Sequence, residues 1–137
     1  MIFGFNPYKE VVKISDRIEK AYNLLLGASM IEKPDNVELE VRALIGPMLK
    51  AWSKHRKRDK IIWTLRMKAF KEIEKSIRHL RKILSKTNSD IEKVRSELEG
   101  VLRGLEEIFE GGYEEGVEEK IRGLADKLHR VEDILWG

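Results

Sequence analysis

Three histidines are the first places to look for chemistry: His55, His79 and His129. A di-iron site inside a helical bundle takes Glu-x-x-His from two helices, with further carboxylates pointing inward. None of the three has Glu three residues before it, and only Asp126 stands at that spacing, before His129. No two histidines lie at i,i+4, which rules out the His-Glu-x-x-His zinc pattern. The chain has no cysteine, so thiolate metal sites, disulfides and a Cys nucleophile are all excluded. GGYEEG (111–116) has the glycines of a phosphate loop but not its lysine, and its carboxylates would repel phosphate. It reads as a turn. Scattered serines and isolated histidines give no Ser-His-Asp order. The expectation is therefore no enzyme, no cofactor and no metal.

Charge is the stronger signal. The net charge of +3 hides a division along the chain. Residues 53–88 carry 13 Lys and Arg against 3 Asp and Glu, a net of +10. Residues 89–119 carry 3 against 11, a net of −8. A basic helix lying beside an acidic one would account for this, with Glu92, Glu97, Glu99, Glu106 and Glu107 placed to pair across the hairpin. One feature resists. Lys68, Lys71, Lys75, Arg78 and Lys82 recur at helical spacing, opposite the apolar stripe from Phe70 to Leu84. Like charges at i,i+4 cost a few tenths of a kcal/mol each, so folding gains nothing from them. Such a face suits nucleic acid, an anionic surface or an acidic partner, as well as plain solubility.

AWSKHRKRDKIIW (51–63) adds Lys54, Arg56, Lys57 and Arg58 between Trp52 and Trp63. Apolar residues at the two ends of the chain, Phe3 and Phe5 in MIFGF and Trp136, must dock on the bundle or on another subunit. Two functional readings follow. The preferred one is a protein–protein interaction module, homodimeric, with Phe3, Phe5, Trp52, Trp63 and Trp136 as contacts. The alternative is a nucleic-acid binder that uses the nine basic residues between Lys54 and Lys82 named above.

The elements that must carry these residues are helices. Val11, Ile14, Ile18, Ala21 and Leu25 make a first stripe, with Asn6 as N-cap, Pro7 in the first position and Gly27 as the stop. Val37, Val41, Leu44, Met48 and Trp52 make a second, opened by Asp35 with Glu38 and interrupted by Gly46-Pro47. Phe70, Ile73, Ile77, Leu80 and Leu84 make a third. Ser89 with Glu92 predicts a capping box for the fourth, which runs Ile91, Val94, Leu98, Val101, Leu105 and Ile108. Val117, Ile121, Leu124, Leu128, Val131 and Leu135 make the fifth. The spacing predicts one all-α domain over residues 1–137, an antiparallel bundle built around four long helices, with four to five helical segments. The second and third segments join in one of two ways. A turn near 54–60, with Asp59 capping the next helix, is preferred. A continuous helix would keep one seam from Ile45 through Trp63 to Leu84, put Arg56, Asp59 and Arg66 at seam positions, and need a second chain to cover it.

Hydrophobic residues make up 42% of the 137, enough for a core, and 37% are charged. Gln is absent and Asn occurs four times, the bias of hyperthermophile proteins. No apolar run approaches the roughly 20 residues of a membrane span, and no signal peptide is visible. From MIFGFNPYKE through AWSKHRKRDKIIW to VEDILWG, the chain resembles the small proteins of spindle-shaped viruses infecting hyperthermophilic Pyrococcus archaea. The resemblance implies a viral protein in the host cytoplasm or associated with the virion. It brings no catalytic or binding residues with it.

Overall fold

The computed structural model describes residues 5–32 and 57–137, and the statements below concern those residues. Four helices follow one another: α1 (Pro7–Glu32), α2 (Lys57–Leu84), α3 (Ser89–Gly111) and α4 (Val117–Trp136). Among the described residues there is no strand. Each helix packs on two neighbours, α1 on α2 and α4, and α3 on α2 and α4. Cross-helix pairs fix the directions. Glu10 meets His79 and Glu32 meets Arg66, so α1 and α2 are antiparallel. Phe70 meets Phe109, Gly104 lies against Leu124, and Ser29 meets Glu118, so the remaining neighbours alternate too. The result is an up-down-up-down four-helix bundle.

The apolar stripes supply the core. All five stripe residues of α1 and all six of α3 are buried. In α4, Val117, Ile121, Leu128 and Val131 are buried, while Leu124 and Leu135 are half-buried at the flank. Burying each large aliphatic side chain contributes about 1.5–3 kcal/mol, so this face decides the fold. A smaller cluster of Ala28, Ile31 and Ile62 joins only α1 and α2. These two helices run past the α3–α4 turn at that end of the bundle.

Several local expectations need correction. Gly27 does not stop α1, which continues to Glu32 because Ala28 and Ile31 bury themselves against α2. Asn88, not Ser89, caps α3. Its Oδ1 accepts from the N–H of Asp90 and Ile91, and Glu92 turns to Arg95 instead of closing a capping box. Residues 57–60 are helical, so the proposed turn does not include them, and Asp59 lies inside the first turn of α2. The second stripe, 37–52, lies outside the described residues. Trp63 is not on the seam. The inward face of α2 runs Ile62, Ala69, Ser76 and Ile83 at intervals of seven, with Ile73 and Leu80 beside it. Asn6 does cap α1, accepting from the Lys9 N–H at 3.3 Å. The EGGYEEG turn uses Gly112 and Gly116 at φ 70° and 87°, where a Cβ is disfavoured.

Candidate interaction surface on helix α2

The α2 helix presents three faces, and its cations divide among them. Toward α1, Arg58, Arg66 and His79 are engaged. Arg58 donates to the carbonyls of Ile31 and Glu32, the open end of α1, which has no basic residue of its own in its last turn. Arg58 is thus held inside the bundle rather than presented to a partner. Arg66 donates to Glu32 Oε2 at 2.7 Å and lies 3.6 Å over the Tyr113 ring, although its Nε finds no acceptor. Of the polar positions expected on a continuous seam, Arg66 turns inward; Asp59, and Trp63 expected on the same seam, are exposed, and Arg56 lies outside the described residues. His79 joins Glu10 at 2.6 Å and Arg17 at 3.2 Å. An arginine can only donate, so His79 Nδ1 accepts and Nε2–H donates to the carboxylate. Lys20 meets Glu72 at 3.6 Å.

Toward α3, one ion pair crosses, Arg81 to Glu106 at 2.8 Å. Arg95 of α3 donates to Leu84 O at 2.8 Å, closing the end of α2 as Arg58 closes α1. The wider pairing expected of the acidic helix does not form. Glu92 bonds Arg95 within α3, and this bond holds its carboxyl below the usual range. Glu97, Glu99 and Glu107 make no ion pair among the described residues.

Away from both neighbours, Lys68, Lys71, Lys75, Arg78 and Lys82 are all exposed. Lys75 and Arg78 reach Glu72 and Glu74 of their own helix. Lys68, Lys71 and Lys82 have no partner among the described residues. No acidic side chain of α3 covers the stripe. Beside it stand two exposed apolar residues one turn apart, Trp63 at 62% and Met67 at 42%. Among the described helices none covers Trp63, since α3 ends at Gly111 and the chain turns at Tyr113, level with Arg66, before reaching it. Phe109, also partly exposed, packs its ring 6.5 Å from Phe70.

The other expected contacts are distributed differently. Phe5 packs on the bundle's own core, with Lys86 Nζ 5.1 Å from its ring centroid. Trp136 is 77% exposed, its ring tilted against Tyr8 at 5.0 Å. Phe3, Trp52, Lys54 and Arg56 lie outside the described residues, as does the side chain of Lys57. Two polar features gave no sequence signal, because each takes a partner from a distant helix. Ser29 donates to Glu118 at 2.6 Å beside Tyr113. His129 sits between Glu132 at 3.1 Å and Glu19 at 2.6 Å. With both ring nitrogens on carboxylates, the Glu132 bond first and the Glu19 bond next push His129 above its ordinary pKa.

Concave features are shallow. A cleft of about 350 Å³ between α3 and α4 is bounded by Gly104, Gly111, Leu124 and Lys127. Among the described residues, no three His, Asp or Glu side chains are placed to hold a metal ion, and no helix is long and apolar enough to cross a membrane. No family model, curated protein or solved structure matches this chain.

Proposed function

We propose that this chain is a non-enzymatic helical-bundle module working through protein–protein contact, self-association included, with the outer face of α2 as its contact surface. One observation carries the reading: Trp63 and Met67, one turn apart, are covered by no other described helix, on a helix whose other side is locked into the core. Aromatic residues on rigid elements anchor interfaces, and covering an exposed tryptophan contributes on the order of 3 kcal/mol. Surrounding lysines would form the polar rim. Sedimentation over a concentration series tests this. Native protein should associate in the micromolar range, and Trp63→Ala should weaken that association roughly tenfold or more. A monomer at high micromolar concentration, indifferent to Trp63→Ala, contradicts it.

A second reading, nucleic-acid binding, is favoured by a different observation. None of Lys68, Lys71, Lys75, Arg78 and Lys82 pairs across to α3. Its test is a titration with duplex and single-stranded DNA at several salt concentrations. Five phosphate contacts would give a slope of log K on log salt of about −4 to −5. Absence of binding, or binding that survives charge reversal of the stripe, sinks this reading. A viral setting, in an archaeal host cell or on the virion, is supported by the sequence resemblance.

A further inference from the structure

We infer that the partner of the α2 outer face is a second copy of this chain, docked through the acidic outer face of its α3. The inference rests on the α2 contact surface proposed above and names its occupant. Helix α2 carries 10 Lys and Arg against 3 Asp and Glu, while α3 carries 3 against 7. Inside one chain these charges hardly meet, since Arg81–Glu106 is the single ion pair between the two helices among the described residues. On α3, Glu99, Glu107 and Glu110 are exposed and without an ion pair, as Lys68, Lys71 and Lys82 are on α2. The two sets are similar in extent. Residues 68–82 span about 21 Å along the axis, and 99–110 span about 17 Å.

The two sets approach each other only at the groove between α2 and α3, where Arg78 and Glu110 both line the cleft but Arg78 pairs with Glu74 instead. The faces belong to neighbouring helices of a bundle and point away from its axis in different directions. A second copy can place its α3 along the first copy's α2, with Met67 and Phe109 at the apolar margins. That contact uses different patches on the two copies. Used head to tail it is heterologous, and each added copy leaves one basic and one acidic face free, so assembly continues to a ring or filament; used reciprocally about a two-fold axis it closes a dimer. Like charges repel along each face until the opposite face arrives, so salt should weaken the contact. Arg103 interrupts the acidic face and limits which registers fit.

The test is sedimentation of the full chain at low salt and in roughly 1 M salt, where the Debye length falls to about 3 Å. Three variants accompany it. One carries Lys68→Glu, Lys71→Glu and Lys82→Glu. Another carries Glu99→Lys, Glu107→Lys and Glu110→Lys. The last carries all six changes and restores the native net charge. Circular dichroism melts confirm that each folds. The expected result is a mass that rises with concentration, to a dimer or beyond it, and falls with salt. Each triple variant should associate roughly tenfold more weakly or worse, and the six-fold variant should regain association. A closed dimer unaffected by salt but weakened by Trp63→Ala overturns the inference and leaves the α2 reading standing. A monomer under all conditions overturns both. A folded six-fold variant that stays monomeric, or a native chain that assembles only when duplex DNA is added, also overturns the inference.

Discussion

The two flanks of α2 use the same kinds of residue in opposite ways. Against α1, polar contacts occur along the length of the seam: Arg58 on the helix end, Arg66 on Glu32, Glu72 on Lys20, and His79 between Glu10 and Arg17. Against α3, a single ion pair crosses, and beyond it the surface is open. Two arginines, Arg58 and Arg66, take the internal cation positions, where a planar fork can bond two acceptors at once, while Arg78 and Arg81 stand exposed with the lysines. The charge excess of α2 is therefore two populations. One is spent within the fold. In the other, Lys68, Lys71 and Lys82 meet no carboxylate among the described residues.

The most damaging way to break the comparison is through the core that both flanks share. Ile73→Ala, fully buried on α2, should cost about 2–5 kcal/mol in denaturant unfolding. Next comes the sewn flank. Arg66→Ala removes the bond to Glu32 and the contact over Tyr113, and should cost about 1–2 kcal/mol. Smaller still is the open flank. Lys68→Ala, Lys71→Ala and Lys82→Ala should each change stability by less than about 0.5 kcal/mol, while together they weaken self-association. If these lysines prove as costly as Arg66, the two flanks are not different in kind.

The smallest effect depends on pH and concerns the α1–α4 seam. His129 is raised in the folded state by Glu132 and Glu19, so its contribution is fully present below its unfolded value of about 6.5 and is lost as pH rises through the folded value. His129→Gln should lower the melting temperature more at about pH 6 than at about pH 9. Equal effects at both would show that the pairs with Glu19 and Glu132 do not stabilise the fold through charge.

Much of the fold was legible because helical periodicity is local. The stripes of α1 and α3 are buried residue for residue, and the turns at 85–88 and 112–116 follow from capping chemistry and glycine. Finer choices depended on neighbours. Gly27 is a stop in isolation, but Ala28 and Ile31 had a partner in Ile62. Asn88 and Ser89 can both cap, and the one whose Oδ1 reaches two N–H groups won. Trp63 fits a heptad drawn from Phe70, yet Ile62 and Ala69 occupy the true seam one residue away. In the candidate surface, the exposure of Lys68 to Lys82 could be read from their place opposite the stripe. The engagement of Arg58 could not, because its acceptors are backbone carbonyls that carry no sequence signature.

The central claim is that the outer face of α2 is a contact surface rather than a solvated wall. The most direct measurement uses Trp63 as its own reporter, in a chain carrying Trp52→Phe and Trp136→Phe. At high dilution its fluorescence should be that of a water-exposed indole. On concentration it should shift to the blue and lose access to a soluble quencher, with Lys68→Glu, Lys71→Glu and Lys82→Glu moving that transition to higher concentration. Emission that stays red and fully quenchable up to high micromolar protein would contradict the claim.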